Sequence, residues 1–311
     1  MQKVDVVIPM YHSNDRMIHM LELLISQSLC PNKVILMNTD ESFYKADAGF
    51  QKVVEKYNSD GKMKIEVYHV SPEEFDHGRT RDEGILHSDA EYVLLMTDDA
   101  VPYDNKLIGH MLRGFDDKTI GAVYARQLAH KNSGMLEQLT REFNYPDKSC
   151  KKTKEDVKTL GIKAYFCSNV CAMYRKDLYV ELGGFVNKTI FNEDMIYAAK
   201  LIQNGYAVYY EKDAAVYHSH KYSLMKQLRR NFDLGVSQAD HPEVFDNVPS
   251  EGEGKKLVGF VSKRIKGKIF HLFYFYMQCA FKLVGYKLGK KYKKLPKAIV
   301  RKLTMNKNYW R

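Results

Sequence analysis

The segment Glu91-Tyr-Val-Leu-Leu-Met-Thr-Asp-Asp-Ala100 runs from an apolar stretch directly into two adjacent carboxylates, Asp98 and Asp99. A strand interior cannot hold unpaired charge cheaply, so the pair belongs at the strand's carboxyl end. In an open α/β sheet that end is where ligands bind. Carboxylate oxygens there suit a hard divalent ion such as Mg²⁺ or Mn²⁺, which commonly bridges to substrate phosphates. Taken alone, Asp-Asp is most simply a turn or a helix cap. Two other groups give it company. Glu193 and Asp194 follow Asn192 and open the helical run Met195–Asn204, which Gly205 is suited to end. A helix start stabilises an ionised carboxylate and so offers a candidate base; the simpler reading is capping by Asn192 with acids in the first turn. His218 and His220 stand two apart in Ala214–His220, so on an extended segment both face one side and could supply a metal ligand.

Positioning these groups requires alternating strands and helices. Val4–Pro9 reads as a strand, and Asp15–Gln27 as a helix with Met17, Met20, Leu21, Leu24 and Ile25 on one face. Pro31 introduces a second strand, Lys33–Asn38, which ends at Thr39-Asp40. A helix over Ala46–Tyr57 and a strand over Lys64–Val70 follow. The loop Phe75-Asp-His-Gly-Arg-Thr-Arg81 then opens a helix toward His87, before the strand Tyr92–Met96. Tyr206–Tyr210 reads as a later strand. This alternation predicts a parallel, nucleotide-binding type of half-domain. Neither GxGxxG nor GxxxxGK[ST] is present, so a phosphate-bearing ligand must be neutralised by a cation or by arginine and lysine.

At 311 residues, 45% apolar and 28% charged, the chain can build a sizeable core and is not of disordered composition. Five cysteines without a CxxC pair suggest neither a disulfide framework nor a zinc site, which fits a reducing cytoplasm. Asp5 interrupts what would have to be the apolar core of a signal peptide, so the start reads as a strand rather than an export signal. Charge is very uneven. Lys255 to Arg311 contains 17 Lys and Arg and no Asp or Glu, which leaves 31 basic against 38 acidic residues before it. Pro249-Ser-Glu-Gly-Glu-Gly254 has linker character and predicts a boundary near 250, with a body of 1–250 and a segment of 251–311. Within that segment Ile269–Phe281 carries no formal charge and lies between Lys268 and Lys282. It is too short to span a bilayer, which takes about 20 helical residues. Aromatic surface with lysines on both flanks suits an amphipathic helix lying on an anionic membrane. A core helix packed on the body is compatible with the same pattern, and no nucleic-acid-binding module is recognisable.

Together these residues resemble the inverting, metal-dependent glycosyltransferases of family 2, and more narrowly the bacterial branch that uses dTDP-L-rhamnose. The resemblance spans about Val4 to Gln238. It rests on Val7-Ile-Pro9, His77-Gly-Arg-Thr-Arg81, Thr97-Asp-Asp-Ala-Val-Pro102, Gly183-Gly-Phe185 with Glu193-Asp194, and His218-Ser-His220 followed by Tyr222-Ser223. It implies a GT-A fold: α/β, a Rossmann-like mixed, mostly parallel sheet flanked by helices, here with a basic, helical C-terminal extension. It further implies that Pro9 and Tyr11 line the nucleotide pocket, that Asp40 accepts from the base and that Arg81 contacts the nucleotide or its diphosphate. Asp99 would hold Mn²⁺ or Mg²⁺ with Asp98 nearby, and His218 or His220 would complete the metal or phosphate shell. Asp194 would be the general base, with Glu193 beside it. Gln227 and Arg230 resemble part of a QxxRW element in which Asn231 replaces Trp, which would put Arg230, with Asp98, among the nucleotide-sugar-binding residues. Asp82 stands where many relatives have Asn. The implied activity is transfer of L-rhamnose from dTDP-β-L-rhamnose to a lipid-linked or polysaccharide acceptor at the cytoplasmic face of the membrane. UDP-galactofuranose, UDP-glucose and UDP-GlcNAc are alternative donors. A non-catalytic membrane-bound scaffold and a nucleotidyltransferase are the competing readings from other classes.

Overall fold

A computed structural model describes residues 2–246, 248–249 and 251–310. One half of its sheet is a parallel quartet: β1 (Val4–Met10), β2 (Lys33–Asn38), β3 (Lys64–His69) and β4 (Tyr92–Met96). Val4, Val6 and Ile8 of β1 face one core while Val7 faces another, and β4 is buried along its whole length. Burial on both faces is what a parallel sheet covered by helices demands. Asp5, inward on β1, is satisfied by the Ser88 hydroxyl at 2.7 Å and the Asp89 amide at 3.2 Å. One face is covered by α1 (Asp15–Ile25) and α3 (Ala48–Asp60), which follows the short α2 (Glu41–Ala46). On the other face lies α4 (His77–Leu86).

The sheet order is β3-β2-β1-β4-β8-β6-β9-β5, with β7 beside β9. After β5 (Val101–Pro102) and α5 (Leu107–Arg113) come β6 (Ile120–Leu128), α6 (Met135–Asn144), β7 (Cys150–Lys152) and the single turn α7 (Val157–Leu160). β8 (Cys171–Arg175) is antiparallel to both β4 and β6. α8 (Lys176–Glu181) and α9 (Glu193–Gln203) lead into β9 (Ala207–Tyr217), which is parallel to β6 and antiparallel to β5 and β7. The sheet is therefore mixed. Its run of four parallel strands is the half whose alternation was legible, and β1 is its switch point, with β2 on one side and β4 on the other.

Several expected boundaries move for local reasons. The helix expected over 46–57 breaks at Asp47, whose carboxylate takes the Phe50 amide at 2.9 Å and the Ser13 hydroxyl. α4 begins at His77 because Asp76 caps the Gly78 and Arg79 amides at 2.9 and 3.0 Å, so Arg81 lies in a helix and not in a loop. The strand expected to stop at Tyr210 continues to Tyr217 past a register shift opposite Ala125 and Arg126.

The largest revision concerns the tail. The glycine-rich stretch expected as a linker starts α12 (Glu251–Arg264), because tertiary packing overrides propensity: Val261 and Ile265 bury against Leu136 of α6 and Phe275. α10 (Leu224–Asp240), α11 (Pro242–Phe245), α13 (Ile269–Lys290) and α14 (Lys297–Leu303) complete the chain. α13 lies parallel to α10 in backbone contact. A Cβ on Gly285 would sit 2.1 Å from Leu228 O, and one on Gly289 2.1 Å from Phe232 O. Only glycine allows that approach. Among the described residues no helix is long and apolar enough to cross a membrane. α13 nevertheless leaves Ile269, Phe270 and Phe273 76%, 88% and 67% exposed.

Candidate functional site

The carboxyl end of β4 splits its two acids. Val101 of β5 pairs with Tyr217 of β9, which brings Asp99 beside the residues that follow Tyr217. Asp99 Oδ1 is 3.4 Å from His218 Nε2, and Oδ2 is 3.4 Å from His220 Nε2. One ligand atom from each residue lies within 4.8 Å of the other two. Burial alone would raise the Asp99 carboxyl, but His218, Thr97 and His220 hold it well below the usual carboxylate range. Burial and the neighbouring His218 push His220 down to about 4, so its imidazole is neutral at pH 7, as a metal ligand must be. His218 Nδ1 sits 3.0 Å from Gln127 Oε1. Arg141 also contacts both Gln127 Oε1 and His218 Nδ1. One carboxylate and two imidazoles at this spacing fit a divalent ion.

Asp98 turns toward the end of β1 and accepts the Tyr11 amide; burial, then Asp99, raises its carboxyl. Pro9 is in β1 itself. Tyr11, 55% exposed, stands edge-on to His12 and Phe43, with centroids 4.3 and 5.6 Å away. Asp40 caps α2 through the Ser42 amide at 2.7 Å, which holds its carboxyl low. These groups form an aromatic and acidic ledge where β1 and β2 end.

The second acid pair is built by close backbone approach. A Cβ on Gly78 would meet Val186 O at 2.5 Å and Glu193 Cβ at 3.6 Å, so glycine there lets α4 reach the start of α9. Asn192 adopts φ 67° and donates its amide to Ser237 Oγ at 3.2 Å; it does not cap α9. Glu193 is buried against Arg81 Nη1 at 3.4 Å and Asn169 Nδ2 at 3.1 Å. Burial opposes its ionisation, but Arg81 and His77 outweigh that and keep its carboxyl below the ordinary value. Asp194 accepts the Asn169 amide at 3.1 Å. Burial first, and the ionised Glu193 second, raise Asp194 to about 7.

Arg81, expected to contact the nucleotide or its diphosphate, lies against Glu193. It is 6% exposed, donates to His77 O at 2.9 Å and pairs with Glu193, leaving its Nε unpartnered. Glu193, expected beside the catalytic Asp194, is held by Arg81 and Asn169, whereas Asp194 has only the Asn169 and Met195 amides as hydrogen-bond partners among the described residues. Asp82 accepts from Tyr179 Oη at 2.6 Å beneath Gly184, a packing role.

The two acid groups belong to one network. Asp99 meets His218, His218 meets Gln127, Gln127 Nε2 donates to Ser168 Oγ at 2.9 Å, and the next residue, Asn169, donates to Asp194. Sequence reasoning missed Gln127, Asn169 and Arg141, and it quoted His77 in a motif without giving it a role. Gln127 had a signal, a polar residue inside the apolar strand Ile120–Leu128; Asn169 and Arg141 had none. Beyond His220 opens a cavity of about 780 Å³ between α6, α10 and α13, with Arg230 and Lys282 on its walls.

The family model described as glycosyltransferase like family 2 matches residues 2–233. The chain is 35% identical to the O-antigen chain rhamnosyltransferase RfbN of Salmonella typhimurium over 311 residues, 99% of this chain and 96% of that protein. It is 37% identical to the O-antigen chain rhamnosyltransferase WbaN of Salmonella anatum over 78% of each. In fold it is similar to the mannosyltransferase PcManGT of Pyrobaculum calidifontis, solved with GDP-mannose and Mn²⁺. That match has a TM-score of 0.55 and 15% identity, covering 99% of this chain and 84% of that one.

Proposed function

The chain belongs to glycosyltransferase family 2, and from that premise we propose that it transfers L-rhamnose from dTDP-β-L-rhamnose to a lipid-linked glycan or polysaccharide acceptor, inverting the anomeric centre. The observation that carries the mechanism is the joining of the Asp99–His218–His220 cluster to Asp194 through Gln127, Ser168 and Asn169. The names of the two Salmonella relatives support the sugar.

Asp99, His218 and His220 would hold the divalent ion, which when bound supplies Lewis-acid stabilisation of the departing diphosphate. Two nitrogens for each carboxylate favour Mn²⁺ over the oxygen-seeking Mg²⁺. Tyr11 and Phe43 would pack against the base, and Asp40 would offer an acceptor beside them. Asp194, at about 7, takes the proton of the attacking acceptor hydroxyl as its oxygen bonds to C1 and the bond from C1 to the diphosphate oxygen breaks. Arg81 and Asn169 keep Glu193 ionised behind it. A single displacement on a β-linked donor yields an α-rhamnoside.

Donor choice is tested by thermal unfolding of the whole protein with Mn²⁺ and a panel of dTDP and UDP sugars. A ligand present at a hundred times its Kd adds about 2.7 kcal/mol of apparent stability. Stabilisation by dTDP ligands is expected; stabilisation by UDP ligands alone would remove the rhamnose assignment.

The division into a body of 1–250 and a membrane-associating segment of 251–311 is part of the same proposal, with the segment clamped to the body through the α10–α13 seam. Ile269, Phe270 and Phe273 face outward, and Lys263, Lys266 and Lys268 precede them. Apolar burial and lysine attraction to anionic headgroups add in such a helix. Phe270→Glu with Phe273→Glu is expected to abolish sedimentation with anionic vesicles at unchanged unfolding midpoint. Sedimentation equal to wild type would refute the cytoplasmic-face membrane contact.

A further inference from the structure

We propose that α13 completes an anion subsite for the acceptor, in which Lys282, Arg230 and Lys221 hold a phosphate or diphosphate ester whose apolar chain leaves over the exposed aromatic surface of the same helix. The inference deepens the reading above and rests on it.

The cavity of about 780 Å³ beyond His220 is within the size range of small-molecule sites. Its walls carry Arg141, Lys221, Arg230 and Lys282, and the one carboxylate among the lining residues is Glu137, which accepts the His220 amide at 3.0 Å. Lys221, Arg230 and Lys282 form no ion pair among the described residues. Arg230 is instead held over Phe191 and Tyr222, 4.5 and 6.0 Å from the ring centroids, which fixes its position without neutralising it. Burial and the facing Arg230 both lower the Lys282 ammonium. Like charges confined beside one cavity are relieved by a bound anion. Asp98, Tyr11 and Asp40, the ledge assigned to the donor, are not among the residues lining this cavity. Of the ion cluster only His220 borders it, so the cavity adjoins the donor's diphosphate and leaves Arg230, Lys221 and Lys282 for an anion that the acceptor brings.

The helix also gives the apolar half of the ligand. His271, Tyr274, Gln278 and Lys282 recur along α13 at helical spacing and line the cavity, while Phe270 and Phe273 stand exposed on the adjoining face. Tyr274, 43% exposed, lies on the border. A ligand with phosphate beside an apolar chain engages both surfaces at once, and its sugar then reaches toward His220 and the ion cluster. The tail is on this account part of the active site.

The test titrates the full-length protein, saturated with dTDP and Mn²⁺, with farnesyl diphosphate, farnesol and inorganic pyrophosphate by calorimetry. Farnesyl diphosphate is expected to bind more tightly than either fragment. Lys282→Gln should weaken it about ten- to a hundredfold, the loss of one hydrogen bond to a charged group. Lys282→Arg should restore it to within a few-fold, which separates a lost charge from lost folding. In turnover, Lys282→Gln should raise KM for a lipid diphosphate acceptor and leave KM for the nucleotide sugar within about twofold. Displacement of farnesyl diphosphate by dTDP and Mn²⁺ would assign these cations to the donor and overturn the proposal. Wild-type binding by Lys282→Gln would do the same. If dTDP binds and farnesyl diphosphate does not, the subsite falls and the transferase reading stands. If farnesyl diphosphate binds through Lys282 and no nucleotide sugar binds, the subsite stands and the donor reading falls.

Discussion

Replacement of Asp194 by Asn is expected to lower kcat by about 10²- to 10⁴-fold, the usual contribution of a positioned general base, while donor affinity is kept. Asn can still accept the Asn169 amide, so the loss isolates the proton transfer. In the wild type the base must be ionised. With Asp194 raised to about 7, kcat/KM should rise with pH through that value and level off above it. The stability effect has the opposite sense. An unfolded Asp titrates near 3.9, so between about 4 and 7 the folded state holds a proton that the unfolded state has released. Stability contributed by this group therefore falls as pH rises through that window. Asp194→Asn, with nothing to ionise, should be more stable relative to wild type at pH 8 than at pH 4. Denaturant unfolding at the two pH values reads the difference, and turnover against pH reads the base. Wild-type turnover in the variant, or a pH profile flat from 5 to 8, would assign the proton to another group.

Asp99→Asn is expected to abolish Mn²⁺ dependence and to lower turnover by about 10³-fold or more, because two imidazoles without their carboxylate hold a divalent ion poorly. His220→Ala should weaken Mn²⁺ and leave the Asp99–His218 contact in place, a graded loss where Asp99→Asn is severe. Mn²⁺ binding followed by electron paramagnetic resonance separates affinity from catalysis. In the wild type Mn²⁺ should support faster transfer than Mg²⁺ at equal concentration, since two of the three protein donors are imidazole nitrogens. Unchanged Mn²⁺ affinity in Asp99→Asn would remove this cluster from the reaction.

The sequence by itself determined the elements and the ends on which the chemistry sits. Doubly buried runs such as Val4–Pro9 and Tyr92–Met96 specify parallel strands, and Met17, Met20, Leu21 and Leu24 specify a helix on one face, because period and burial are local properties. From these it followed that Asp98 and Asp99 leave the carboxyl end of a strand and that Asp194 opens a helix. Asp76 as a cap before Gly78 and Arg79, and the i,i+4 pair Gly285 and Gly289 on an otherwise aromatic helix, are local signals of the same kind.

The partners of each group were decided by tertiary structure. Asp99 meets His218 because Val101 and Tyr217 pair across more than a hundred residues. Asp98, one residue earlier, faces Tyr11 instead. Arg81 meets Glu193 because a missing Cβ at Gly78 lets two helix starts approach. The different ionisation of Glu193 and Asp194 is a consequence of that burial and that arginine, and no local signal distinguishes the two. The tail, legible as a basic and aromatic helix, became a wall of the cavity only through its contact with α10. Hydrophobic period and capping act over a few residues, whereas strand register, charge pairing and helix contact depend on which distant surfaces are buried together.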